Sequence, residues 1–173
     1  MSLILSGNSG SMTVDSTAGV TFPAGGNPQA APSKVLQVIN ATYSTAVSST
    51  SNTFIDTGLT ASITPLFTTS KILIFVNLPE NFKTNNAANN DIGFNICRNG
   101  TQIVQFNSEL GYTGTALGNI FSASYTYLDS PASTSSTTYK VQFKNTDGAG
   151  GTSTVCQNGA SSPNAITLME IAQ

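Results

Sequence analysis

The chain has 173 residues, with eight acidic and six basic side chains, a net charge of -2, and charged residues at only 8% against about a quarter in ordinary soluble proteins. Six scattered cations cannot neutralise many phosphates, which excludes nucleic acid as a partner. No apolar run approaches the ~20 residues that span a bilayer, and no charged start precedes a hydrophobic stretch, so neither membrane insertion nor a secretory leader is expected.

Solubility must come from uncharged polar groups, and 46 Ser plus Thr with 17 Asn supply them. Their hydroxyls and amides wet a folded surface without a strong field. The length fits one domain with a short extension.

Residues 1–33 read as an extended N-terminal attachment arm. Gly7, Gly10, Gly19, Gly25 and Gly26 punctuate short Ser/Thr runs, and Pro23, Pro28 and Pro32 break any pattern at the end. Met12, Val14, Val20 and Phe22 alternate with polar residues around a turn at Asp15 to Gly19, which predicts a small hairpin. A lone hairpin is marginal in water and needs a surface to lie on. These four residues are the candidate attachment contacts.

Residues 34–173 read as a β-sandwich knob, because short β-branched and aromatic segments recur between Gly, Pro, Asn and Ser clusters. Strands are expected near Val35 to Thr42, Thr53 to Ile55, Ser62 to Thr64, Lys71 to Leu78 and Asp91 to Arg98. Further ones are expected at Thr101 to Asn107, Asn119 to Asp129, Thr138 to Asn145, Ser153 to Gln157 and Ala165 to Ile171. No amphipathic helix competes. The predicted class is all-β, a jelly-roll-like sandwich in preference to a closed barrel.

Three segments carry most of that expectation. Lys71-Ile72-Leu73-Ile74-Phe75-Val76-Asn77-Leu78 is apolar on both faces, so both sides need a cover, one being the opposite sheet and the other the arm or a neighbouring subunit. Asn99-Gly100 between two alternating runs suits a type I′ hairpin turn. Phe121, Ala123, Tyr125 and Tyr127 alternate with Ser122, Ser124 and Thr126, which describes a half-buried strand with one wet face. Ile72, Ile74, Val76, Tyr125 and Tyr127 are the oligomer-interface candidates.

Catalytic chemistry finds little to work with. The chain has no His, which removes the Ser-His-Asp and Cys-His arrangements. Asp15, Asp56, Glu80, Asp91, Glu109, Asp129 and Asp147 sit mostly at turns or strand ends, where Asp serves turn geometry. Glu170 differs, since it follows Leu168 and Met169 in a core-like strand. It is expected on the polar face or, if buried, against Arg98 or a lysine. Cys97 and Cys156 lack metal-finger spacing and read as buried free thiols, with a disulfide as the minority alternative.

Asn85, Asn86, Asn89, Asn90 and Asp91 carry one carboxylate among amides, a weak calcium set, and read as a loop. Asn40-Ala41-Thr42 and Asn99-Gly100-Thr101 match the glycosylation pattern by coincidence. Gly148-Ala149-Gly150-Gly151 lacks the helix that a phosphate loop requires. No enzyme activity, metal or cofactor is expected.

Tyr125-Thr126-Tyr127-Leu128-Asp129-Ser130-Pro131, the Ser/Thr run after it, Tyr139-Lys140-Val141-Gln142-Phe143 and the closing Ile166-Thr167-Leu168-Met169-Glu170-Ile171 resemble bacteriophage virion proteins, particularly those of cyanophages. The resemblance covers about the last two-thirds of the chain. It implies a homotrimeric knob similar to the jelly rolls of the C1q and tumour-necrosis-factor type. Ser16-Thr17-Ala18-Gly19-Val20-Thr21-Phe22-Pro23 looks like the short β segments at the base of tail fibres and spikes.

The implied role is a tail fibre or receptor-binding protein of the virion, assembled in the host cytoplasm. Its partners would be itself, other virion proteins through the arm, and a host surface glycan. A capsid decoration protein is the alternative, and a carbohydrate-active enzyme or lectin-like module a more distant one.

Overall fold

The computed structural model describes the backbone of Leu3–Gly7, Gly10–Asp15 and Gly19–Thr21, and residues 34–84, 88, 90–146 and 150–173. The chain forms two compact units, Met1–Lys34 and Val35–Gln173.

In the first unit, β1 (Leu3–Gly7), β2 (Gly10–Asp15) and β3 (Gly19–Thr21) make an antiparallel three-stranded sheet. The expected hairpin is β2 with β3, in which Asp15 faces Gly19 and Val14 faces Val20. β1 was not expected, because Gly7 and Gly10 made that stretch look like loop. Phe22 lies outside the described residues.

In the second unit, β4 (Val35–Tyr43), β5 (Val47–Ser49), β6 (Ile55–Ile63), β7 (Lys71–Lys83) and β8 (Ile92–Arg98) are followed by β9 (Thr101–Leu110), β10 (Asn119–Asp129), β11 (Thr137–Asn145), β12 (Ser153–Val155) and β13 (Asn164–Ile171). Their pairings are all antiparallel and make two sheets, packed as the jelly-roll-like sandwich the sequence predicts. The smaller sheet runs β6-β11-β8-β9.

The larger sheet is built around β7. One edge of β7 pairs with β13 along Lys71 to Asn77 and with β12 along Asn81 to Lys83. Its other edge pairs with β10. β4 flanks β13, and β5 flanks β12. The buried core lies between the sheets, with Ile72, Ile74, Val76 and Leu78 of β7 meeting Phe94 and Ile96 of β8, Val141 and Phe143 of β11, and Ile166 and Leu168 of β13 in one cluster.

Two strands depart most from their expected limits, for local reasons. β7 continues through Pro79, which has no amide hydrogen to give a ladder. The proline falls in the gap where β13 has ended at Asn77 and β12 has not begun at Asn81. On the other edge, Pro79 and Glu80 together oppose the single Ser122, a bulge between Leu78↔Ala123 and Asn81↔Phe121.

β6 looked like two short strands because Gly58 and two polar residues interrupt it. It is one strand with a bulge, where the register on β11 jumps between Lys140↔Thr60 and Gln142↔Asp56 and Gly58 takes φ +87°. The Asn99-Gly100 turn forms as expected, with φ 49° and 85°, and Asn99 Oδ1 accepts from the Thr138 amide at 2.9 Å.

The parity of β7 corrects one expectation. Ile72, Ile74 and Val76 are 0%, 0% and 2% exposed, facing the chain's own core, so they have no surface to offer a second copy. A strand apolar on both faces does not announce which face is inner. Tyr125 and Tyr127 are half-buried and pack against the same core, and Tyr125 stacks on Phe106 at 4.9 Å between ring centroids.

A Cβ built on Gly58 would sit 2.3 Å from the Tyr43 ring, in a backbone conformation L residues avoid. Gly58→Ala should therefore cost at least ~1–3 kcal/mol, measured by urea unfolding. An unchanged midpoint would show that the bulge relaxes freely.

Candidate interaction face

With its even positions spent on the core, β7 turns Leu73, Phe75 and Asn77 to the outer face of the large sheet. Cross-strand registers extend each into a row. Val38, Met169, Leu73 and Leu128 stand side by side on β4, β13, β7 and β10. Asn40, Thr167, Phe75 and Thr126 form the next row, and Thr42, Ala165, Asn77 and Ser124 the one after.

None of these twelve side chains is charged. Val38, Phe75 and Leu128 are 53%, 40% and 48% exposed. Large exposed apolar patches mark contact surfaces in soluble proteins, which makes this face the candidate.

The same end of the sheet carries a fixed apolar loop. Between β6 and β7, Leu66 and Phe67 stand 59% and 55% exposed, while the loop backbone is held from below by Glu170. This carboxylate is fully buried and accepts from Gln37 Nε2 at 2.5 Å and from the Leu66 amide at 2.7 Å. Gln37 also donates to Thr64 O at 2.8 Å, so β4, β13 and the loop are tied at one point.

Glu170 thus departs from expectation twice, being buried and having neutral donors instead of Arg98 or a lysine as partners. Burial alone would raise its pKa. The Gln37 and loop-amide hydrogen bonds outweigh that and hold it below the ordinary carboxylate value.

Arg98 is engaged elsewhere. Its Nη1 lies 2.9 and 2.8 Å from the two carboxylate oxygens of Asp129, and Tyr139 Oη donates to Asp129 at 2.6 Å. The group joins the end of β10 in one sheet to β8 and β11 in the other. Burial, then the Asp129 contact, pushes the Tyr139 hydroxyl well above its usual pKa.

Buried Lys83 was not anticipated; its ammonium donates to Thr113 Oγ1. Desolvation lowers its pKa against an opposing pull from Asp91. Asn90, from the weak calcium set, is buried and accepts from Asn145 Nδ2 at 2.6 Å. Asn85, Asn86 and Asn89 lie outside the described residues, as do Gly148 and Ala149. Cys97 and Cys156 are free, buried thiols. Among the described residues no three His, Cys, Asp or Glu side chains cluster as metal ligands, and no helix is long and apolar enough to cross a membrane.

The outer-face apolar residues Val38, Leu73, Phe75, Leu128 and Met169 were not singled out from sequence, although the two-faced β7 announced that such a face exists. Of the arm candidates, Met12, Val14 and Val20 fall within β2 and β3.

No family model matches the chain, and no curated protein matches it. Among solved structures, the VP2 subviral particle of infectious bursal disease virus is similar over 79% of this chain and 37% of that one, at 16% identity and a TM-score of 0.41. T=1 particles derived from the same virus align over 99% of this chain and 44% of that one, at 16% identity and a TM-score of 0.41. The chain spans about two-fifths of the length of these proteins.

Because the native Glu170 pKa is depressed, its stabilisation is complete above the unfolded value near 4.5 and is lost as pH falls through the folded one. Glu170→Gln should remove that part of the acid sensitivity and cost about 1–3 kcal/mol at neutral pH. Urea titrations of both proteins from pH 7 to 3 check this, and parallel curves would refute the pinning role.

Proposed function

We propose that this chain is a non-enzymatic structural protein of a virus particle. Its sandwich is a homotrimeric knob, and its N-terminal unit, residues 1–33, attaches the knob to other virion proteins. The observation that carries the proposal is the uncharged apolar row Val38, Met169, Leu73 and Leu128 on the outer sheet face. With no charges to desolvate or repel, copies of this chain can bury it against one another at little electrostatic cost.

The trimeric order and the virion setting follow from the cyanophage-like segments. The first and the last of these sit on strands that build this face, with Leu128 and Met169, while Tyr139 to Phe143 lies on β11 of the other sheet. A tail fibre or receptor-binding position suits a knob with hydroxyl-rich loops such as Ser133 to Ser136. Weak contacts to a host glycan repeated three times gain avidity of ~10²-fold or more. Attachment to the capsid shell as a decoration protein is separated from this by copy number per particle.

Light scattering should give a mass near three times 17.9 kDa or a whole multiple of that trimer, and Phe75→Asp with Val38→Asp should dissociate the threefold contact while circular dichroism stays native. A monomer at micromolar concentration overturns the trimer. Removing residues 1–33 should leave the unfolding free energy of the knob within about 0.5 kcal/mol and abolish incorporation into particles. A truncated chain that still incorporates overturns the attachment role.

A further inference from the structure

Among the described residues the sandwich leaves five sheet edges, and four are managed. β5 is only three residues long. At β4, Gln37 reaches across to Thr64 O at the end of β6. β6 itself is bent by the Gly58 bulge, and β9 is broken by three register shifts against β8. The fifth edge belongs to β10, which runs 11 residues and among the described residues pairs only with β7. It has no proline and, from Asn119 to Leu128, no charge, and its one register irregularity is a bulge that β7 absorbs. Long, regular, uncharged edges are the ones that pair with other chains.

The sequence of β10 says which chain. Its outer-face residues are Ile120, Ser122, Ser124, Thr126 and Leu128, with large exposed apolar groups at both ends, 56% and 48% exposed, and hydroxyls between. Two copies laid antiparallel with Ser124 opposite Ser124 bring Ile120 against Leu128 at each end and Ser122 against Thr126 within. On the inner side, Tyr125 meets Ala123 and Tyr127 meets Phe121. A register shifted by two residues sets Ile120 against Thr126 and leaves Leu128 of both copies without its apolar counterpart.

Backbone direction agrees with this pairing. The Phe121 carbonyl faces β7, where it accepts from Asn81 Nδ2 at 3.2 Å. By alternation the peptide groups of the even residues face the open edge, enough for about ten hydrogen bonds in the symmetric ladder.

We infer that β10 is a second contact between copies of this chain, a two-fold antiparallel edge pairing centred on Ser124 that fuses two six-stranded sheets. It rests on the self-association proposed above but uses the sheet's edge, not its outer face. Neither contact requires the other.

The test is a cysteine ruler on the full chain, oxidised and run without reductant. Ser124→Cys faces itself across the axis, at a separation a disulfide spans, and should give a linked dimer at least ~10-fold above wild type. Wild type supplies the background because Cys97 and Cys156 are buried. Ser122→Cys alone should remain unlinked, and Ser122→Cys with Thr126→Cys should link.

Absence of a Ser124→Cys dimer, or equal linking of Ser122→Cys and Ser124→Cys, overturns the pairing. A trimeric mass without the Ser124→Cys link removes the edge contact and leaves the face. The link, together with a mass insensitive to Phe75→Asp, confirms the edge and removes the face.

Discussion

Everything in the knob is arranged around a strand that must be covered on four sides. β7 is hydrogen-bonded along both edges, to β10 on one and to β13 and then β12 on the other, and its even residues fill the space between the sheets. Only one direction remains, and there Leu73 and Phe75 stand beside Met169 and Leu128 on neighbouring strands. Fully burying an aliphatic or aromatic side chain is worth about 1.5–3 kcal/mol relative to leaving it in water. A face that collects four or five of them across adjacent strands therefore carries a standing drive to be covered. The rarity of charge elsewhere in the chain acts in the same direction, since association of such surfaces neither strips ions of water nor brings like charges together.

The charged groups that are buried have a different task. Glu170 pins the loop carrying Leu66 and Phe67 to β4 and β13 through neutral donors. Asp129 gathers Arg98 and Tyr139 where β10 ends and the two sheets meet. In each case a carboxylate with several convergent donors fixes the meeting of elements that apolar packing would leave free to slide. Buried charges add little net stability once their desolvation is counted, so their contribution here is geometric. They set the position of exposed apolar residues that would otherwise sit on a loose loop or a frayed strand end.

Periodicity, β-branching and the Asn99-Gly100 turn made most strands and the sandwich class legible in the sequence. Strand boundaries went astray where a special backbone position was needed. Gly58 reads as a break until its bulge is seen, and Pro79 reads as a stop until the change of partner from β13 to β12 shows that no amide is required there. The inner face of β7 was illegible because Ile72, Ile74 and Val76 are no more apolar than the residues between them. Only the identity of the facing strands decides. The partners of Glu170 were hidden for a related reason: Gln37 is 133 positions away, and the Leu66 amide is a backbone group that no sequence pattern marks.

The two contact surfaces have different symmetry consequences. A heterologous contact made by the outer face closes when three copies surround an axis, and a closed ring is finite. A self-complementary pairing at the edge of β10 is isologous and joins copies in twos. Each copy of a threefold ring still presents its own β10 edge, so rings with both contacts either meet face to face as closed pairs or extend sideways as a net. A tail knob needs only the first contact. A coat that spreads over a shell needs both, because neighbouring rings must hold one another as well as the surface beneath. In the proposed assembly the length and regularity of β10, left without the charges or proline that guard edges elsewhere, are what would let neighbouring copies hold one another.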